Sequence, residues 1–401
     1  MFELGEPLAK LDVSDVSRFS DQSIFSLFAF LRSHQPVHFC ESSPHGPYWS
    51  ISRFSDIASI EADPKRFSSR SGFTLTDIDS DFKHRSILSS DGQDHLRQRR
   101  AIAPLMTMEG INALEVTIKK AAIEILDSVP LDKPFDWVER VSIALTGRML
   151  ATMMGAPHSD FQKLIHWSHI ASIVPGANTD LKSFEEKDHL LEDCYRYFLA
   201  RREISAASPL SLNFVSLLAH MKPEMEINEY LSTIIILIVG GNETTRNSIS
   251  ASVLFFDQFP DQRDLFYTHP ELMESGISEI IRYQTPLMYM RRTATEDVEI
   301  GRKTIKKGDK VIMWYLSGNR DEEAISHPDE FIINRTRSGR HLSFGFGPHR
   351  CIGRRLAGMQ IRVLWQEIIR RKWIIQPTGN TERTVSNFIN GFNKLEVRIR
   401  N

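Results

Sequence analysis

Cysteine is scarce in this 401-residue chain: Cys40, Cys194 and Cys351 are its only three, widely spaced. Three scattered thiols exclude a disulfide framework and the usual zinc-ligand spacings, and they fit a reducing compartment. Long apolar runs are missing too. The longest, Ile234 to Val239, falls far short of the ~20 residues that cross a bilayer, so no membrane span is expected. The N-terminal stretch has no basic segment followed by an apolar one, and the expectation is a soluble cytoplasmic protein. Excess charge is absent, with 49 Lys and Arg against 51 Asp and Glu, interspersed, which argues against nucleic acid as a partner. With no Gly/Ser- or Pro-rich linker, low-complexity tract or internal repeat, residues 1–401 read as a single domain.

What is present is mostly helical periodicity. Helices are expected from His95 to about Gly155 with breaks near Pro130 and Pro134, and over residues 160–200 with a break at Pro175-Gly176. A further helix begins near Ile227, capped by Asn228 or a neighbour, and runs to about Phe256. Another ends before Pro286, and another runs from about Gly353 to Lys372. Alternation at Tyr48–Ser52 and over residues 291–316 predicts short strands. Residues 71–93, polar and turn-rich, read as a long mobile loop. The fold class is mainly α with a minor β region.

Two segments carry chemistry. In Phe344-Gly-Phe-Gly-Pro-His-Arg-Cys351-Ile-Gly353, Gly345 and Gly347 allow a tight turn, and Gly353 allows close packing against a flat ligand. Cys351 precedes a helix N-terminus, whose N–H groups and dipole favour a thiolate, the metal-ligating form. An isolated buried cysteine is more often inert, so the surrounding residues carry the reading. The second segment, Gly240-Gly241-Asn242-Glu243-Thr244-Thr245, interrupts an aliphatic helix. Each glycine costs about 1 kcal/mol there relative to alanine, a cost explained either by close helix packing or by room for a ligand. Thr244 can bond back to the carbonyl one turn earlier, and Glu243 beside it makes an acid–alcohol pair suited to proton delivery.

The cysteine segment resembles the haem-binding loop of cytochromes P450, and Glu243-Thr244 resembles the acid–alcohol pair of their distal helix. The family's haem iron is ligated by a cysteine thiolate that favours O–O cleavage. The resemblance implies a single-domain cytochrome P450 fold, heme b as cofactor and Cys351 as metal ligand. Phe344, Gly240, Gly241 and Gly353 would border the haem, with His95, Arg99, Arg292 and His349 as propionate partners. One departure lies before His95, where Ser89-Ser-Asp-Gly-Gln-Asp94 replaces a turn usual in the family. Glu279, Arg282 and Arg335 would form the family's buried ionic network, a structural rather than catalytic group.

Further segments are similar to the soluble bacterial alkane and fatty-acid terminal hydroxylases: Gly46-Pro-Tyr-Trp-Ser-Ile, Phe135-Asp-Trp-Val-Glu-Arg, Lys307-Gly-Asp-Lys-Val-Ile-Met-Trp and Ser386-Asn-Phe-Ile-Asn-Gly391. Similarity is weakest in residues 71–94 and 171–190, where the family builds its substrate lid. The resemblance implies a monooxygenase that uses O2 and electrons from NAD(P)H, delivered by ferredoxin and ferredoxin reductase. It would hydroxylate an unactivated C–H of an apolar substrate, a medium-chain alkane or fatty acid at or near its terminal carbon. Ile236, Val239, Leu287, Met288, Phe388 and Ile389 are the expected pocket, with Arg70, Lys83 and Arg85 near a substrate head group. Two other functions stand beside this one: a P450 acting on a terpenoid or other bulky lipid, and a haem-thiolate sensor or carrier without turnover. Glu243 and Thr244 argue against the sensor, which needs no proton relay.

Overall fold

The computed structural model describes residues 11–77, 86–174, 181 and 183–400. Its spine is the helix Ile227–Gln258, which packs against the helices Ala144–Met154, Phe161–Ser172, Met273–Gln284 and Arg354–Arg370. At about 1.5 Å per residue its 32 residues run ~48 Å, long enough to pass through the whole helical region. Its N-terminal half is aliphatic. Farther along, small polar residues let neighbours approach: Ser250 Oγ meets Ser142 Oγ at 2.8 Å, and Ser252 accepts from Trp365 Nε1 at 3.0 Å. Glu226, in extended backbone, holds the N-cap position, and no side chain bonds the free N–H groups there.

Residues 291–316 supply the short strands that the alternation predicts, divided between two sheets. Tyr289–Ala294 and Lys310–Trp314 pair antiparallel, with Arg292 opposite Val311. Between them a separate hairpin, Val298–Ile300 with Lys303–Ile305, turns through Gly301 at φ +60°. The five-stranded sheet runs, in spatial order, Val37–Cys40, Tyr48–Ile51, Lys310–Trp314, Tyr289–Ala294 and Phe67–Ser68. A short helix, Phe54–Glu61, follows the strand Tyr48–Ile51 and buries Phe54, Ile57, Ile60 and Glu61. Residues 78–85 of the long loop expected at 71–93 lie outside the described residues; its described remainder consists of bends and turns up to Asp91, and its last two residues already begin a helix.

One buried ionic cluster ties these parts to the cysteine segment. Glu279, fully buried, accepts from Arg282 Nε and Nη2 at 2.7 and 2.8 Å and from Arg335 Nε at 3.0 Å. Arg282 Nη1 also donates to the carbonyls of Asn319 and Pro328 at 2.8 and 2.7 Å. Asn319 continues the chain of bonds, accepting from Leu342 N at 2.6 Å and donating to Ser343 Oγ at 2.9 Å. Ser343 immediately precedes the cysteine segment, so the cluster fixes where that loop starts. Such a cluster locates backbone well only while every member keeps its partner.

Candidate active site

The segment Phe344–Gly353 folds into a tight loop closed by Cys351 N donating to Phe344 O at 2.8 Å. Gly345 and Gly347 sit at φ +66° and +63°. A Cβ at Gly347 would lie 2.2 Å from the Glu61 carbonyl oxygen, so both its conformation and its space require glycine. Cys351 stands just before the helix Arg354–Arg370, whose N-cap is Gly353. Burial pushes the Cys351 thiol up, while the Gly353 N–H and the charges of Arg99, Arg354 and Arg350 favour the thiolate.

Cys351 opens onto a cavity of ≈ 330 Å³. Phe344, Gly345, Cys351 and Gly353 of the loop line it, together with Gly240, Gly241, Glu243 and Thr244 of the long helix. The two glycines separate in role. A Cβ at Gly240 would meet nothing within 4 Å, whereas one at Gly241 would stand 3.1 Å from Met153 Cε and 3.3 Å from Leu150 Cδ1. Gly240 therefore keeps space open, and Gly241 also serves helix packing. The Thr244 hydroxyl donates to the Gly240 carbonyl at 3.4 Å, one turn back. Glu243 is buried and pairs with Arg246 at 2.6 Å; burial pushes its carboxyl up and Arg246 opposes that shift.

Arginine and histidine side chains gather at the same cavity. His95, Arg99, Arg292 and His349 all line it. The helix carrying His95 and Arg99 is Gly92–Ile102, its N-cap Asp91 making no side-chain cap bond. The imidazoles of His95 and His349 stack with centroids 4.0 Å apart. Burial, with His349 and Arg99 adding to it, brings the His95 pKa down to about 4. Arg99 Nη2 donates to the Arg350 carbonyl at 2.6 Å, and Arg292 Nη2 to Glu61 Oε1 at 3.2 Å.

These residues fit a haem. Among the described residues no cluster of three or more His, Cys, Asp or Glu could chelate an ion, so a metal here must bring most of its own ligands. One thiol and an obstacle-free glycine on the same cavity, with two guanidinium and two imidazole side chains around it as hydrogen-bond donors, match a planar metal macrocycle bearing carboxylates.

Among the expected pocket residues, Ile236, Val239, Leu287, Phe388 and Ile389 line the cavity. Met288 does not. Its N–H donates to Phe388 O at 2.9 Å and its carbonyl accepts from Leu316 N at 3.1 Å, and its side chain packs in the core with Tyr289, Ile312 and Trp314. Met290 takes the cavity position instead. Arg70 also lies elsewhere, beside Asp91 and Asp94 at 3.9 and 3.6 Å, and Lys83 and Arg85 fall outside the described residues. Glu279, Arg282 and Arg335 are absent from this cavity's lining.

Glu61 went unnoticed in the sequence. Fully enclosed, it accepts from Tyr315 Oη at 2.5 Å, from Arg292 and from the backbone N–H of Phe346, joining strand, loop and cavity. Its only advance signal is a carboxylate beside the apolar positions Phe54, Ile57 and Ile60 of a short helix.

Comparison with known proteins agrees with this geometry. The family described as Cytochrome P450 matches residues 260–398. The chain is 32% identical over 404 residues to linalool 8-monooxygenase of Pseudomonas putida, covering 96% of this chain and 98% of that one. It is 30% identical over 412 residues to the methyl-branched lipid omega-hydroxylase of Mycobacterium tuberculosis, covering 98% and 95%. Among solved structures, CYP153D17 from a Sphingomonas species superposes with a TM-score of 0.92 at 38% identity, covering 97% of this chain and 99% of that one. Cytochrome P450-153 from Novosphingobium aromaticivorans gives 0.90 at 36%, with the same coverage. The chain belongs to the cytochrome P450 family and is a haem-thiolate monooxygenase.

Proposed function

We propose that this monooxygenase hydroxylates medium-chain alkyl substrates, alkanes or fatty acids, at or near the terminal carbon, in the cytoplasm and with electrons from NAD(P)H through a ferredoxin and its reductase. The observation that carries the reading is the cavity wall: Ile236, Val239, Leu287, Phe388 and Ile389 enclose apolar space that reaches the Cys351 thiol. A relative named for omega-hydroxylation of methyl-branched lipids supports chain-end chemistry.

In this reading the cofactor would be heme b, with Cys351 to ligate its iron and His95, Arg99, Arg292 and His349 to hold its propionates. Bound haem supplies O2 activation and insertion of one oxygen atom into a C–H bond. The chain's own residues decide what reaches it. Gly240 leaves the distal space open, and the aliphatic wall excludes water and holds the alkyl end in place. A terminal methyl has the strongest C–H bonds of an alkyl chain, so selectivity there is steric, and Leu287 and Phe388, which both line the cavity, are the candidates to impose it. Thr244 holds a hydroxyl at the cavity, and Glu243, its carboxyl held between burial and Arg246, stands one residue away as proton source.

Replacing Thr244 with Ala is expected to leave substrate affinity nearly unchanged while product formed per NAD(P)H consumed falls and peroxide rises. The hydroxyl belongs to proton delivery and not to the apolar wall. Unchanged coupling would remove Thr244 from the relay.

The substrate reading is tested by a chain-length series of alkanes and fatty acids, following spin-state shift, dissociation constant and product position. Each buried CH2 is worth about 0.8 kcal/mol, so affinity rises roughly fourfold per methylene until the cavity is full, with oxidation at the terminal carbon. The linalool 8-monooxygenase relative keeps a second reading alive, a terpenoid substrate. A flat response across chain length with tight binding of a terpenoid would establish that one instead.

A further inference from the structure

One cavity residue has no part in the chemistry described so far. Lys187 lies in the first turn of the helix Phe184–Ala206 and lines the cavity beside Phe184, Ala171 and Ile173. Its position is costly twice over. An ammonium at a helix N-terminus opposes the helix dipole, and an ammonium away from water loses strong hydration. Its partners are neutral. Nζ donates to the carbonyls of Ala171 at 2.7 Å and Ile173 at 2.9 Å, and it lies 5.5 Å from the centre of the Phe184 ring. Those two bonds use two of the three ammonium hydrogens. Among the described residues no carboxylate makes a contact ion pair with it; the charge of the next residue, Asp188, favours the ammonium from a distance, but that carboxylate accepts from the Tyr195 hydroxyl at 2.8 Å. Burial brings the Lys187 pKa down to about 8, which leaves it protonated at neutral pH.

We propose that Lys187 is the head-group subsite of this cavity, its remaining N–H and its charge receiving the carboxylate of an alkyl-chain substrate whose far end lies toward Cys351. The inference rests on the chain-substrate reading above and narrows it from alkanes or fatty acids to a preference for the acid. The contacts to Ala171 and Ile173 also join the end of the helix Phe161–Ser172 to the start of the next described helix. A purely structural clamp would therefore affect every ligand alike, whereas a head-group site acts on the acid alone.

The experiment compares dodecanoate with dodecane in the haem-loaded protein and in Lys187→Met and Lys187→Arg, by calorimetric titration and spin-state shift. A charge-assisted hydrogen bond lost from a site shielded from water lowers affinity by roughly 10- to 100-fold. Lys187→Met is expected to weaken dodecanoate by that factor and leave dodecane within about twofold, since the apolar wall is untouched. Lys187→Arg, which keeps the charge, is expected to retain most of the dodecanoate affinity. Equal loss for both ligands, or no loss for either, would reduce Lys187 to a clamp or a bystander and overturn the proposal while leaving the chain-substrate reading in place. If the unmodified protein binds neither ligand, the chain-substrate reading fails and this inference falls with it.

Discussion

Glu279→Gln is expected to destabilise the protein by about 3–5 kcal/mol, the cost of leaving buried cationic groups without their counter-charge. The substitution nearly preserves shape, so the loss is electrostatic. In the folded chain Arg282 and Arg335 converge on this one carboxylate, fully shielded from solvent, and Ile332 N donates to it as well at 2.8 Å. Denaturant unfolding measures the loss. The same change at Asp193, whose pair with Arg196 lies exposed on the surface, should do little, because water already solvates both groups. Burial alone would raise the Glu279 carboxyl, but the bonds and charge of Arg282, with Arg335 adding to them, hold it below the ordinary carboxylate range. A carboxylate whose folded pKa lies below its unfolded one contributes its full stability above the unfolded value. That contribution fades as pH falls toward the folded value. Unfolding free energies of the two proteins should therefore be well separated at neutral pH and converge on the acid side of the carboxylate range. A separation that stays constant into acid would show that the charge of Glu279 is not what holds the cluster.

The cluster matters to the site because its bonds continue through Asn319 to Leu342 and Ser343, where the cysteine loop begins. How much of this was legible in sequence depends on the range of the interaction. The loop around Cys351 could be read locally, because glycines at positive φ, a cysteine and a following helix occupy a dozen consecutive residues. The long helix was legible from its aliphatic run, and Thr244 bonds the carbonyl one turn back, a contact fixed by helical spacing alone. Glu61 could not be read that way. Its partner Arg292 lies 231 residues away, and tertiary contacts such as the pairing of Phe67–Ser68 with Tyr289–Ala294 bring the two regions together. Met288 and Met290 are the same residue type two positions apart. Which one faces the cavity is decided by the bonds of Met288 to Phe388 and Leu316, invisible before the chain folds. Gly240 and Gly241 show the same limit, since open space and a packed neighbour exert identical pressure for glycine. Lys187, within Phe184-Glu-Glu-Lys-Asp-His189, reads as one more charge on a solvated helix start until the end of the preceding helix covers it.

The largest functional effect is expected at Cys351. Thiolate gives iron more electron density than imidazole or water can, and that donation is what favours O–O cleavage in this family. Cys351→His keeps a ligand at the same position on the same loop, where the two glycines, Glu61 and the Cys351 N to Phe344 O bond set the backbone independently of the side chain. Haem should still be retained by His95, Arg99, Arg292 and His349, so cofactor content stays near that of the unmodified protein while hydroxylation is abolished. The decisive measurement is the absorption spectrum of the reduced carbon monoxide complex, recorded on the unmodified protein and on Cys351→His at equal haem content. The expected result is the long-wavelength Soret band of a thiolate-ligated haem in the first and its displacement to the shorter-wavelength position of an imidazole-ligated haem in the second. A band that stays in place after the substitution would show that the iron is held by another residue and would contradict the site described here.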